Sequence, residues 1–502
     1  MKFIVTFIGA GSVGFTRILL RDLLAVPEFK DVTIRFMDIS EHNLELVRKL
    51  CQRDIDAAGL KISIEAYTDR RQSLAGARYV FMTPRIGGLE AFAKDVEIPL
   101  RYGVDQCVGD TLAAGGIFYG QRGIAVMLDI CRDIREVAEP NALLVNYSNP
   151  MAMMTWAANV YGRVRCVGLC HGVQHGHHQI AEVLGLLTGR DPIPVGEVDI
   201  DCVGINHQTW YTRVLYRGED WAGRLTEGFE RHPRYSKTEK CRIDVMKRFG
   251  YYSTESNGHL SEYLMWYRKR PEELTKWIDL DSWIEGETGG YLRYCLESRN
   301  WFETEFPQWI AEPPYAYVES ERSEEHGSRI VEALETGRIY RGHFNVVNNG
   351  TIPNLPADAI VEVPGYVDRL GMHTPPLAPL PAGPAAICSQ SVGVQRLAVL
   401  AAVEGSDSLL RQALMLDPLT GAVCTPEEID QMADEMLVAE AQWLPQYSDA
   451  IKKAKTRLAG GLKVPVKDGY RGAVRLEVRS VVELNALAEA KRKKGNFNSS
   501  QV

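Results

Sequence analysis

Residues 3–8 form an apolar run of strand length with a single polar position, Thr6, and residues 15–24 then switch to helical spacing. In that second stretch Phe15, Ile18, Leu19, Leu23 and Leu24 alternate in threes and fours with Arg17, Arg21 and Asp22. A run with almost no polar alternation is buried on both faces, as in a parallel strand lying between two helical layers. Residues 32–37 repeat the pattern, residues 79–83 repeat it again and stop at Pro84, residues 117–137 read as a long helix, and residues 142–146 as a further strand. Residues 165–171 and 203–207 each read as an apolar strand running out into a polar end. Strands alternating with helices predict an α/β fold built on a parallel sheet.

The 502 residues exceed what one ordinary core supports, so more than one domain is expected. A net charge of −8 offers no footprint for nucleic acid or an anionic membrane surface. Apolar runs such as residues 142–145 are too short to cross a bilayer. The apolar N-terminal run leads into a glycine turn, not a small-residue cleavage site, so it reads as a first strand and not as a signal peptide. Ten cysteines scattered from Cys51 to Cys424 lack the density of a disulfide scaffold, and the expected compartment is the cytoplasm.

The chemistry begins at the turn between the first strand and helix, Gly9-Ala10-Gly11-Ser12-Val13-Gly14. Gly9 permits the tight turn, Gly11 lets backbone approach a pyrophosphate, and Gly14 lets helix and sheet pack closely. Ser12 and Val13 lie in the same turn, and the following helix offers the free N–H groups of its N-terminus to the phosphates. Asp38 ends the second strand twenty-four residues past Gly14, the place of a carboxylate on ribose hydroxyls, which favours NAD over NADP. The strand ending at Asn146 runs into Tyr147-Ser148-Asn149-Pro150, where open α/β sheets put their ligands. The carboxamide of Asn149 suits a sugar hydroxyl or a ribose, or simply a turn. Cys170 and His207 end the two later strands, and a thiolate with an imidazole suits a borderline divalent ion with open positions. A buried cysteine and a hydrogen-bonded histidine would read the same way. His175, His177 and His178 follow, the last two at the exposed start of a helix.

The segments Phe7-Ile8-Gly9-Ala10-Gly11-Ser12, Met37-Asp38-Ile39, Asn149-Pro150-Met151-Ala152-Met153, Gly168-Leu169-Cys170-His171 and Gly204-Ile205-Asn206-His207 resemble glycoside hydrolase family 4. So do residues 348–356 and Trp443-Leu444-Pro445, and the nearest likeness is to bacterial α-galactosidases of the melibiase type. The resemblance implies a Rossmann-like dinucleotide-binding domain of the lactate and malate dehydrogenase kind, with a second mixed α/β domain for substrate and metal. The expected divisions are residues 1–200, 201–447 and a C-terminal extension over 448–502 that ends in a basic cluster, Lys491-Arg492-Lys493-Lys494. It also implies catalytic NAD, a divalent metal such as manganese held by Cys170 and His207, a small-molecule glycoside at Asn149, and a homodimer or homotetramer. His171 falls where other branches put the acid that protonates the leaving group. The base is expected within residues 252–263, where His259 falls near the family tyrosine, Glu255 near the family aspartate, and Tyr263 is a third candidate.

The implied reaction oxidises the sugar at C3, removes the C2 proton, eliminates the C1 glycosidic oxygen, adds water and returns the hydride. It departs from the usual pair of carboxylates. The loops at 112–116 and 172–175 differ from close relatives, which keeps α-glucuronides, α-galacturonides and α-glucosides beside α-galactosides as substrates. Arg85, Arg122 and His175 are the candidate partners for a sugar carboxylate. An NAD-dependent dehydrogenase of sugars or hydroxy acids and a non-enzymatic NAD sensor are the rival classes.

Overall fold

The computed structural model describes residues 1–280, 286–299 and 301–493. Lys494 and the tail after it, part of the expected basic terminus, lie outside the described residues. Strands β1 (Ile4–Ile8), β2 (Thr33–Met37), β3 (Ile64–Tyr67), β4 (Tyr79–Met82), β5 (Leu143–Asn146) and β6 (Arg165–Gly168) run parallel in the order β3-β2-β1-β4-β5-β6. Val5, Phe7, Ile34, Phe36, Phe81 and Val145 point into one helical layer, whereas Ile8, Met37, Val80, Met82 and Leu144 point into the other. Both faces are covered, which is why these strands read as apolar runs without polar alternation.

Beyond β6 the sheet turns antiparallel. β10 (Tyr340–Val347) pairs β6, and β11 (Ile360–Asp368), β7 (Val198–Ile205), β8 (Gln208–Tyr216) and β9 (Glu219–Asp220) follow. β12 (Gly371–His373) pairs β11 and completes a twelve-stranded mixed sheet. Asn345 registers with Gly168 and Glu362 with Gly204, so one sheet connects the strand leading to Cys170 with the hairpin that bears His207. Residue 200, the expected division between the first two domains, lies within β7.

Two local departures from the sequence reading matter for the site. The strand expected at 203–207 begins at Val198 and ends at Ile205, because Ile205 pairs with Gln208 and Asn206-His207 form a two-residue hairpin turn. His207 takes φ 62°, a left-handed conformation that few non-glycine residues adopt. The helix expected from residue 117 starts at Ala113. A Cβ at Gly115 would lie 2.6 Å from the Asp95 carbonyl oxygen and one at Gly116 2.5 Å from the Thr111 carbonyl carbon. Those glycines let the first helical turn lie against the loop that ends at Thr111.

Among the described residues one helix, Ala382–Glu404, is long and apolar enough to cross a membrane; Ile387, Cys388, Val392, Val394, Ala398 and Val399 on it are buried in the protein core. The region after residue 447 comprises a helix (Ser448–Ala459), an irregular segment and a second helix (Val481–Lys493).

Candidate active site and metal cluster

The glycine turn forms a cradle at the carboxyl end of β1. Gly9 has φ 87°, and a Cβ there would lie 2.8 Å from the Pro84 backbone nitrogen. The Gly11 N–H donates to Asp38 Oδ2 at 2.8 Å, and the Ser40 N–H donates to Asp38 Oδ1 at 2.9 Å. A Cβ at Gly11 would sit 2.8 Å from the same Oδ2. Ser12 caps the helix Val13–Leu24 through its backbone only, so its exposed hydroxyl is spent on no cap. A backbone cradle that no side chain can enter, with a carboxylate at its rim and a helix N-terminus beneath, fits a dinucleotide.

Cys170, His207 and Glu255 converge from three separate elements, with their donor atoms all within 4.8 Å of one another. Cys170 follows β6, His207 is the hairpin turn, and Glu255 lies on a segment held to β8 by the Trp210–Ser253 bridge. The Thr254 N–H donates to the Thr209 carbonyl at 2.9 Å, which tightens that attachment. Glu255 Oε2 is 3.8 Å from Cys170 Sγ and 3.9 Å from His207 Nε2. Burial pushes the Glu255 carboxyl up, but His207, His259, His171 and His175 around it hold its pKa down to about 2. Burial, reinforced by the Glu255 and Glu362 carboxylates, pushes the Cys170 thiol well above its ordinary value. A divalent cation set among these donors reverses that balance and stabilises the thiolate. Thiolate, imidazole and carboxylate together fit a first-row divalent ion with coordination positions left for substrate oxygens.

Hydrogen bonds from neighbouring residues hold these donors in place. His207 Nδ1 lies 3.2 Å from both Thr111 Oγ1 and the Tyr263 hydroxyl, which leaves Nε2 on the side of the cluster. The Thr111 hydroxyl donates to Asp110 Oδ1 at 2.9 Å, and Asn149 Nδ2 donates to Asp110 Oδ2 at 2.9 Å. Asn149 is thereby tied to His207 through two residues.

The remaining candidates separate clearly. The His259 ring lies 5.3 Å from that of His207, and its Nδ1 is 2.6 Å from Ser256 Oγ. Burial lowers its pKa to about 4, so the imidazole is neutral at pH 7. Burial, with Glu262 and Asp110, pushes the Tyr263 phenol well above its ordinary value. His171 is the most open of the group, its side chain 59% exposed. Its Nδ1 is 3.5 Å from Glu325 Oε1, and that contact raises its pKa to about 9, a pull that solvent weakens. His177 and His178, expected on an exposed helix start, are half-buried, with ring nitrogens 2.7 Å from the Val198 carbonyl and 2.9 Å from the Glu324 carboxylate. Arg122, weighed as a sugar-carboxylate partner, is buried against Asp95 at 2.6 Å and against Glu440. Arg85 stacks on Phe92 and Tyr291 and donates to the Tyr291 hydroxyl at 3.0 Å.

Sequence reasoning weighed Glu255 only as a base and missed it as a donor in the cluster. The signal was the shortfall of two ligands against the three that open metal sites use. Asp110 and Thr111, just ahead of the divergent loop at 112–116, and Glu325 carry no signal along the chain.

A glycine cradle and a three-donor cluster set along one mixed sheet define a nucleotide- and metal-using α/β enzyme. The chain belongs to family 4 of the glycosyl hydrolases: the profile described as family 4 glycosyl hydrolase matches residues 4–186, and that of its C-terminal domain matches residues 202–420. It is 58% identical over 490 residues to an α-galactosidase of Rhizobium meliloti (strain 1021), covering 97% of this chain and 98% of that protein. A crystal structure of a putative glucosidase from Bacillus subtilis superposes with a TM-score of 0.74 at 25% identity, covering 87% of this chain and 100% of the other. The 6-phospho-β-glucosidase of Thermotoga maritima, solved with manganese, NAD+ and glucose-6-phosphate, superposes with a TM-score of 0.71 at 22% identity over 88% of this chain and 99% of its own.

Proposed function

We propose that the chain is an NAD- and divalent-metal-dependent α-galactosidase. The observation that carries this reading is 58% identity to an α-galactosidase along 97% of the chain, in a protein whose Cys170, His207 and Glu255 converge and whose Asn149 is linked to His207 through Asp110 and Thr111. The manganese and NAD+ bound by the Thermotoga maritima relative support manganese and NAD as the groups held here. Arg122, spent on Asp95 and Glu440, weakens the uronide alternative.

When bound, NAD supplies a hydride acceptor and the metal supplies a Lewis acid against a sugar oxygen. The protein's own residues do the rest. Gly9, Gly11, Ser12, Val13, Gly14 and Asp38 hold the dinucleotide, and Cys170, His207 and Glu255 hold the metal. Asn149 has one amide hydrogen committed to Asp110 and keeps its carbonyl oxygen for a sugar hydroxyl. His259, neutral at pH 7, is the base for the C2 proton. Tyr263, kept as a phenol beside His207 Nδ1, orients the metal ligand. His171, protonated against Glu325, gives its proton to the leaving glycosidic oxygen. The same reading carries a cytoplasmic homodimer or homotetramer; all ten cysteines are unbridged, which suits a reducing compartment.

Two measurements test it. Across p-nitrophenyl α-glycosides the galactoside is expected to be cleaved fastest, and a faster galacturonide or glucuronide would move the substrate to the uronides. His259→Ala should lower kcat by about 10²- to 10⁴-fold. Tyr263→Phe should instead raise the manganese requirement and cost kcat about tenfold or less at saturating metal. A larger kcat loss in Tyr263→Phe, with manganese affinity intact, would transfer the base to Tyr263.

A further inference from the structure

The irregular segment after Gly460 runs over the surface, yet it reaches a buried carboxylate close to the active-site loop. We propose that residues 462–480 are a strap that positions the substrate side of the active site. They do so by holding the loop at 105–111 against the helix Gly290–Ser298. The inference rests on the α-galactosidase reading for its assay.

The strap is tied down along its whole length. Gln431 Oε1 accepts the N–H groups of Lys463 at 2.6 Å and Val464 at 3.0 Å, and the Lys467 N–H donates to the Arg101 carbonyl at 2.8 Å. Further along, Arg475 pairs with Glu97, and Arg479 Nη2 lies 2.6 Å from Glu297 Oε2. Between these ties, Thr288 and Val474 bond in both directions: the Thr288 N–H donates to the Val474 carbonyl at 2.6 Å, and the Val474 N–H donates to Thr288 Oγ1 at 3.4 Å.

The central tie is Asp105, which is 1% exposed. Its Oδ2 accepts the Ala473 N–H at 3.1 Å and the Thr288 hydroxyl at 2.7 Å, while its Oδ1 accepts Arg268 Nη2 at 2.5 Å. Asp105 opens the loop whose far end carries the contacts to Asn149 and His207. Along that loop the Gly289 N–H donates to the Gln106 carbonyl at 2.8 Å and the Tyr291 N–H to the Cys107 carbonyl at 3.1 Å. Glu262, one residue before Tyr263, accepts the N–H groups of Cys107, Val108 and Gly109 at 2.8, 2.7 and 3.0 Å. The path from the strap to Asp110 and Thr111 is therefore a run of backbone and carboxylate hydrogen bonds. The other branch ends at Tyr291, which receives Arg85. Asp105 is a positioning residue in this scheme, and so is Ala473 through its N–H.

Gly472 supplies a local lesion. It has φ 96°, and a Cβ there would lie 2.2 Å from Thr288 Cγ2, so Gly472→Val must lift the strap off Thr288 without entering a core. Ala473→Pro removes the N–H that Asp105 accepts. Both full-length variants are compared with wild type for KM and kcat on p-nitrophenyl α-galactoside, for NAD and manganese affinity, and for the unfolding midpoint. KM is expected to rise about tenfold, with kcat reduced and manganese affinity weakened, while the NAD dissociation constant stays within about twofold of wild type. Kinetic constants and manganese affinity within about twofold of wild type in both variants would overturn the proposal. So would a joint loss of every affinity and of the midpoint, since the strap would then serve folding alone. A wild type that leaves the galactoside uncleaved sinks the substrate reading, while manganese affinity in the variants still decides the strap.

Discussion

Cys170→Ser is expected to abolish high-affinity manganese binding and to lower kcat/KM by about three orders of magnitude. Serine has nearly the volume of cysteine, and the position is only partly buried, so the fold should survive. The donor changes completely, because a hydroxyl does not ionise where even a thiol is pushed up by burial and by Glu255. His207 and Glu255 then remain as an incomplete pair. A Lewis acid is worth several kcal/mol of transition-state stabilisation, and each ~1.4 kcal/mol is a decade of rate, which gives the stated loss. A manganese titration of activity and of metal binding checks it. Activity within about tenfold of wild type at unchanged manganese affinity would move the metal away from this cluster.

Gly11→Val is the second large effect, and it separates the cofactor from the metal. The new Cβ would lie 2.8 Å from Asp38 Oδ2 and 3.2 Å from Asn43 Cβ, so either the turn or the Asp38 carboxylate must shift. The added side chain also blocks the backbone approach that a pyrophosphate needs. The NAD dissociation constant is expected to rise by about a hundredfold or more, which corresponds to roughly 3 kcal/mol, while manganese affinity stays as in wild type. NAD titration by fluorescence reads the first quantity, and a manganese titration of activity at saturating NAD reads the second. NAD affinity unchanged in this variant would remove the glycine turn from the cofactor site.

The parallel half of the fold was legible in the sequence because its information is local. A strand covered on both faces shows as an apolar run, and the turn after β1 needs glycine for reasons confined to a few residues. Cys170 and His207 could be named but not joined, since nothing along the chain says that a hairpin and the end of β6 meet. The strand expected to end at His207 ended two residues earlier, because a hairpin turn with positive φ leaves no glycine signal when histidine fills it. Glu255 stands 85 residues from Cys170 and reaches it only through the bridge to β8. Arg122 read as a candidate partner for a sugar carboxylate, and its burial with Asp95 and Glu440 depends on helices far apart in sequence. The strap alternates apolar and polar residues over 474–479 yet forms no strand, so only its partners identify it.

The central claim is that NAD and metal serve glycoside cleavage together and that NAD is not consumed. The direct test is p-nitrophenol release from p-nitrophenyl α-galactoside by the enzyme stripped of metal and nucleotide, then resupplied with manganese, NAD and a thiol reductant, with each left out in turn. Nitrophenol far in excess of the NAD supplied, without accumulating NADH and lost when manganese or NAD is withheld, is the predicted result. Intact glycoside with NADH accumulating from free sugars or sugar acids would contradict it and make the protein a dehydrogenase.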